Sequence, residues 1–202
     1  TNRITAFEAL ARLKSNKLGL VSPVEFIPVA EKTKLILPVG SKVIEQSLEF
    51  LRTLEEHGYS DVSVSINISA VQLLKNDFVS RLIETVNMMQ ADSNNITLEI
   101  TESVFASNYQ EINEILLKIR GVGIKIAIDD FGTGYSSLAR ERELNVDCMK
   151  IDKFFIDELS NMDEGRFITG DIMSMAHKLG HYAVAEGVET DKQRKYLEAN
   201  GC

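Results

Sequence analysis

Six oxygen-donor side chains and one lysine stand out by type and position: Glu8, Asn67, Glu99, Asp129, Asp130 and Glu186, with Lys150 among them. Each closes, or nearly closes, a short alternating or apolar run. Several carboxylates gathered in one basin repel one another unless cations or protons neutralise them, and hard oxygen ligands favour Mg²⁺, Mn²⁺ or Ca²⁺ over zinc. The adjacency of Asp129 and Asp130 suits a two-metal centre. Two ions about 4 Å apart activate a water and stabilise both entering and leaving oxygens in phosphodiester displacement. Lys150 in such a basin would orient or deprotonate the water; its plainer reading is a salt bridge to Asp152 or Glu186. Taken singly, each carboxylate reads as a solvated charge or a helix cap, so the argument rests on whether the fold gathers them.

The elements that would gather them are legible in the hydrophobic pattern. Val62, Val64, Ile66 and Ile68 alternate with Ser63, Ser65, Asn67 and Ser69, the period of a strand with two unlike faces. Leu73, Leu74, Phe78, Leu82, Ile83 and Val86 then recur at helical spacing, which predicts one helix running to Met89. The alternation returns at Ile96, Leu98 and Ile100, followed by the amphipathic stretch Ile112, Ile115, Leu116 and Ile119, which Gly121 and Gly123 break. Ile124, Ile126 and Ile128 predict a strand ending at Asp129, and 146–152 a shorter one. Phe167, Ile168, Ile172, Met175 and Leu179 predict a helix stopped at Gly180, and 182–186 the next strand. Ser22-Pro23-Val24-Glu25 reads as a capping box with proline at the first helical position, and Thr190 with Gln193 repeats the device ahead of a last helix ending near Gly201.

With an opening strand near 4–7, the chain holds six proposed strands, most followed by helices, hence a parallel sheet with helices outside. Periodicity is compatible with an open doubly wound sheet and with a barrel. The Ser, Thr, Asn, Glu and Lys side chains on one strand face favour a barrel lumen, so the expected fold class is α/β, a TIM-like (β/α)8 barrel. Barrels typically run to about 250 residues, which leaves this chain short by about two strands. Strand C-terminal ends meet at one mouth in such a barrel, and the residues named above all fall at or near those ends.

Composition narrows the function classes. A net charge of −8 argues against a protein that coats polymeric nucleic acid, yet admits a small phosphorylated ligand if divalent cations sit between it and the carboxylates. Cys148 and Cys202 form no disulfide framework, and His57, His177 and His181 show no metal-ligand spacing. No signal peptide and no apolar run of about 20 residues is present, so this segment is expected to be soluble, cytoplasmic and without membrane contact. No linker composition interrupts it, and 1–202 is expected to be a single domain. The hydroxyl-rich stretch from Asp130 to Ser137 suits a mobile lid over a ligand.

Assembled, these strings resemble the EAL domain of bacterial cyclic di-GMP phosphodiesterases along nearly the whole chain. Glu8-Ala9-Leu10-Ala11-Arg12 is similar to the signature that names the family, Phe26-Ile27-Pro28-Val29-Ala30-Glu31 to the helix after it, and Asn67-Ile68-Ser69 to its asparagine strand. Glu99-Ile100-Thr101-Glu102, Asp129-Asp130-Phe131-Gly132-Thr133-Gly134, Lys150-Ile151-Asp152 and Glu186-Gly187-Val188-Glu189 resemble the remaining signatures, in the family's order. The resemblance implies a barrel with one antiparallel strand and two Mg²⁺ or Mn²⁺ ions held by Glu8, Asn67, Glu99, Asp129, Asp130 and Glu186, with Ca²⁺ inhibitory. It implies catalytic roles for Glu8, Lys150, Asp152 and Glu186, Lys150 assisting the attacking water and Asp152 supporting the water network. Leu10, Arg12, Glu102, Asp130 and Glu189 fall on the ligand-binding side: Arg12 on a phosphate, and Glu102 anchoring the loop after Asp130, which the family uses to couple metal binding to dimerisation. The activity implied is hydrolysis of one phosphodiester of cyclic di-GMP to 5'-pGpG, by a homodimer.

Three features depart from the family pattern. Leu13 replaces a frequent tryptophan, and Arg140-Glu141-Arg142-Glu143 is unusually charged where the family makes dimer contacts. The family's opening strand and its closing Gln-Gly strand have no counterpart here, so the domain is expected to be incomplete at both ends. Sensory or cyclase-like regions often precede such domains and can anchor the full-length protein to a membrane. Competing readings are a cyclic di-GMP sensor without turnover, a scaffold acting through 140–143, and a metal-dependent barrel enzyme acting on a phosphorylated sugar.

Overall fold

The computed structural model describes residues 3–106, 108–131, 144–161 and 168–202. They fall into two compact units, Thr1–Glu99 with Leu117–Ile124 and Ile100–Leu116 with Lys125–Cys202. Of the lid expected from Asp130 to Ser137, the first two residues lie instead in a strand, Lys125–Phe131, and 132–137 lie outside the described residues, as do the charged 140–143 segment and Phe167.

The first unit opens with strand β1 (Ala6–Ala9), followed by a short antiparallel hairpin of β2 (Leu13–Ser15) and β3 (Gly19–Val21). Helices α1 (Pro23–Lys32) and α2 (Ile36–Glu56) come next, then β4 (Ser63–Asn67), α3 (Ala70–Leu73), α4 (Phe78–Met88) and β5 (Ile96–Thr101). β1 pairs in parallel with β4, and β4 in parallel with the first four residues of β5. On α2, Ile44, Leu48 and Leu51 recur at four- and three-residue steps and are buried, so one stripe of the helix faces β4 and α3. Each such side chain taken out of water contributes about 1.5–3 kcal/mol. In β5, Leu98 and Ile100 are buried together with Thr97 and Glu99, so both faces of that strand are covered.

In the second unit the chain leaves β5 through a 3-10 turn at Glu102–Ala106 and enters α5 (Tyr109–Arg120), whose residues from Leu117 on count with the first unit. Strands β6 (Lys125–Phe131), β7 (Cys148–Ile151) and β8 (Tyr182–Ala185) follow, β6 parallel to β7 and β7 parallel to β8. Between and after them lie α6 (Lys153–Asn161), α7 (Ile168–Lys178) and α8 (Asp191–Ala199). Gly180, at φ +85°, takes the left-handed conformation that ends α7. Thr190 Oγ1 accepts from Gln193 N at 3.2 Å and Gln193 Oε1 from Thr190 N at 2.9 Å, so the capping box expected ahead of α8 is present.

Four expectations change, the first being that β6 runs on to Phe131 rather than ending at Asp129. The single helix to Met89 is two helices, because Ser69 and Gln72 cap α3, which stops at Leu73, and Phe78 N then donates to Lys75 O at 2.8 Å across a turn. Ser22 does precede α1 with Pro23 at the first position, but its side chain makes no cap bond; its carbonyl accepts from Glu25 N at 3.0 Å instead. The opening strand sits two residues later than expected, at Ala6–Ala9.

Candidate active site

In the first unit, three sequence-predicted residues arrive from three parallel strands. Glu8 lies in β1, Asn67 ends β4 and Glu99 lies in β5. Register aligns Glu8 with Ser65 and Asn67 with Glu99. Asn67 Nδ2 donates to Glu8 Oε1 at 2.8 Å, and one carboxylate oxygen of Glu8 approaches one of Glu99 to within 4.8 Å. Glu99 is only 3% exposed. Two carboxylates this close, one of them buried, form a strongly negative pocket of oxygen donors. Leu10 and Arg12 follow Glu8, and all three line a cavity of about 1010 Å³ together with Phe26, Val29 and Phe50. Arg12 Nη1 donates to Ala11 O at 3.0 Å, and the residue is exposed.

In the second unit, Asp129 and Asp130 sit near the end of β6, Lys150 near the end of β7, and Glu186 directly after β8. Lys150 is 6% exposed; its Nζ lies 3.2 Å from Asp129 Oδ1 and 2.6 Å from Glu186 Oε1. Of the two salt bridges left open by the sequence, Glu186 is made, and Asp129 joins it. Asp152 Oδ1 instead accepts from Phe154 N at 2.8 Å at the start of α6.

The register of β6 against β7 shifts between Ile128 and Phe131, which puts a bulge at the two aspartates, and Asp130 has φ 54°. Consecutive residues of a regular strand point to opposite faces, so the irregularity changes how the pair is presented. Aspartate is among the few non-glycine residues that tolerate this conformation. Asp130 stays close enough to its neighbours for their charges to act: burial first, then Asp129 and Asp152, raise its pKa above the ordinary value, partly opposed by Lys150. Nothing in the sequence pattern signalled the bulge.

The remaining ligand-side residues divide. Glu102 opens the 3-10 turn after β5, while the loop it was expected to anchor lies outside the described residues. Glu189 Oε1 lies 2.7 Å from Lys153 Nζ, an ion pair the sequence reading missed. Cys148 and Cys202 are free thiols. Among the described residues no helix is long and apolar enough to cross a membrane.

The whole chain, residues 1–202, matches the EAL domain family. "Signaling protein YkoW" of Bacillus subtilis is 38% identical over 200 residues, 99% of this chain and 25% of that protein. "Cyclic di-GMP phosphodiesterase PA2567" of Pseudomonas aeruginosa is 34% identical over 202 residues, 100% of this chain and 34% of that protein. The chain thus spans about a quarter to a third of the length of these curated relatives. Among solved structures, "PaMucR Phosphodiesterase, c-di-GMP complex" superposes with a TM-score of 0.92 at 34% identity, covering 99% of this chain and 81% of that one. The fold class is accordingly the α/β, TIM-like barrel that the strand pattern led us to expect. A match along its full length, with the signatures on the strands described above, shows that this chain belongs to the EAL-domain family.

Proposed function

We propose that this chain is a cyclic di-GMP-specific phosphodiesterase that hydrolyses one phosphodiester bond of the cyclic dinucleotide to linear 5'-pGpG with the help of two divalent cations. One observation carries the reading: Glu8, Asn67, Glu99, Asp129, Asp130 and Lys150 all lie at or near the ends of parallel strands, and Glu186 directly follows one. Membership in a family with relatives named cyclic di-GMP phosphodiesterase supplies the substrate class.

The donor set fits hard divalent cations. It consists of carboxylates and one amide, without a thiol or imidazole, and the pKa of Asp130 is raised first by burial and then by the charges of Asp129 and Asp152. In this reading Glu8, Asn67, Glu99, Asp129, Asp130 and Glu186 hold Mg²⁺ or Mn²⁺. Bound there, the ions would supply a more acidic water and neutralise charge at the phosphodiester. Ca²⁺, with its larger and looser coordination, would inhibit.

The protein's own groups orient the reactants. Lys150 assists the attacking water, and its two carboxylate partners fix where Nζ can reach. Asp152 supports the water network, its position set by the hydrogen bond from Phe154 N. Leu10 and Arg12 lie in one cavity with Glu8, which suits a nucleobase or sugar on the apolar wall and a phosphate on the guanidinium. Homodimer formation, a bacterial cytoplasmic location and anchoring of the full-length protein through other regions belong to the same proposal.

Product analysis of cyclic di-GMP incubated with the full-length protein tests it, using Mg²⁺, Mn²⁺, Ca²⁺ or chelator. Cation-dependent 5'-pGpG that disappears in Glu8→Ala and Lys150→Ala is the expected result. Binding of the dinucleotide without any product would favour the sensor reading, and absence of binding would overturn both.

A further inference from the structure

Resting on the phosphodiesterase reading, we infer that Gln72, seated in a notch at Gly40, is a positioning residue for the proposed metal ligand Asn67. Gln72 belongs to no signature and, among the described residues, makes no hydrogen bond to a candidate ligand, yet it is a polar side chain only 4% exposed. Its place follows from two contacts. The first is the capping box of α3: Gln72 Oε1 accepts from Ser69 N at 3.3 Å, and Ser69 Oγ accepts from Gln72 N at 3.3 Å. The second is with α2, where the Gln72 carboxamide lies against the bare Cα of Gly40. A Cβ built at position 40 would fall 2.5 Å from Gln72 Cδ and 2.9 Å from Oε1, distances that real Cβ atoms do not reach.

From this amide to the candidate ligand is a short chain of fixed groups. Ser69 N is held by Gln72, Ile68 N donates to Glu99 O at 2.8 Å, and Asn67 precedes them with its own side chain on Glu8 Oε1 at 2.8 Å. The backbone at Ile68–Ser69 is thus pinned from both sides, and the Asn67 side chain has its direction set before any cation arrives. Outer partners of ligating groups act in this way on metal affinity. The glycine matters because a side chain at position 40 would push the carboxamide out and release Ser69 N.

The experiment measures Mn²⁺ dissociation constants by electron paramagnetic resonance of free Mn²⁺, alongside thermal unfolding in chelator, in the full-length protein. Gln72→Ala is expected to weaken Mn²⁺ binding severalfold, below the effect of losing a group bonded directly to a ligand, and Ser69→Ala less. Gly40→Ala is expected to lower both affinity and melting temperature. In the double variant Gly40→Ala/Gln72→Ala the added methyl group fills the vacated notch, so the melting temperature recovers above that of Gly40→Ala while Mn²⁺ affinity stays low. Affinity that recovers in step with melting temperature would reduce Gln72 to a packing residue and overturn the inference. So would unchanged affinity in Gln72→Ala or, should that variant fail to fold, in Ser69→Ala. A wild-type protein that binds neither Mn²⁺ nor Mg²⁺ overturns the phosphodiesterase reading and this inference together, whereas wild-type binding matched by every variant overturns this inference alone.

Discussion

The two units hold their candidate ligands by opposite means. In the first, neutral groups do the holding: an amide on Glu8, backbone bonds at Ile68 and Ser69, and a capping box. In the second, a buried ammonium lies on Glu186 and on Asp129, which together with Asp130 sits on an irregular strand. The amide-to-carboxylate bond from Asn67 to Glu8 contributes about 1.5 kcal/mol net, and because it is exposed, water can take the place of the lost donor. A buried ion pair is different, because removing one partner strands the other's charge in a poorly solvated place. The first unit's geometry should therefore depend on shape, and the second's on charge balance.

Lys150→Met is the harshest test of that contrast. With the ammonium gone, Asp129 and Glu186 lose the positive charge that lies between them, and in chelator the folded state should lose about 3 kcal/mol by urea unfolding. Turnover should fall about 1,000-fold, in the range of a lost acid–base or orienting group. A stability change below that of a single neutral hydrogen bond would collapse the contrast. Asn67→Leu is its counterpart in the first unit. It removes the 2.8 Å bond to the Glu8 carboxylate, so unfolding should shift by about 1.5 kcal/mol, while turnover should fall about 100-fold through weaker cation binding.

Asp130→Asn sharpens the comparison through pH. A carboxyl whose pKa is raised in the folded protein stabilises the fold while protonated, and that stability is lost as pH rises through the folded value. Burial and the charges of Asp129 and Asp152 raise the pKa of Asp130 above 3.8. Asparagine carries no charge and tolerates φ 54° equally well. In chelator at neutral pH, Asp130→Asn should therefore melt above wild type, and the gap should close as pH falls through the raised value. With Mn²⁺ present it should be inactive. A melting temperature at or below wild type at neutral pH would mean that the second unit is not limited by crowded charge.

Much of this arrangement was legible in the sequence because it has a period. The alternation from Val62 to Ser69 announced β4, though it runs two residues past the strand's end at Asn67, and Ile96 to Thr101 agrees with β5 residue for residue. What escaped has no period of its own. The hairpin of β2 and β3 is too short to show alternation, and α2, 21 residues long, was not read as a helix from its pattern. The break between α3 and α4 comes from a local cap and turn inside a stripe that stays in phase across it. The side-chain contacts that matter most cross long stretches of chain: Gln72 with Gly40, and Lys153 with Glu189. A glycine in a helix and a lysine in a first turn are ordinary letters until the fold brings partners to them. The resemblance gave the site residues their order, but not the bulge at Asp129 and Asp130.

Lys153 and Glu189 provide the mildest test, and it bears on how the second unit steadies Glu186. The resemblance puts Glu189 on the ligand, whereas its Oε1 lies 2.7 Å from Lys153 Nζ, which also lies 3.1 Å from Asp157. Gly187, at φ +65°, passes so close to Lys153 that a Cβ there would fall 2.6 Å from its Cγ. The loop from Glu186 to Glu189 is thus laid along the lysine stem and tied at its far end by a charge. Both charged groups are largely exposed, so thermal stability should barely move in Glu189→Gln or Lys153→Met. If the pair acts by steadying the loop, both variants should lower kcat by the same severalfold factor with KM unchanged, and added salt should lower wild-type kcat toward theirs. If Glu189 instead touches the dinucleotide, Glu189→Gln alone should raise KM. The first outcome extends the rule of charge-held geometry from the buried Lys150 to the rim of the second unit; the second confines that rule to Lys150.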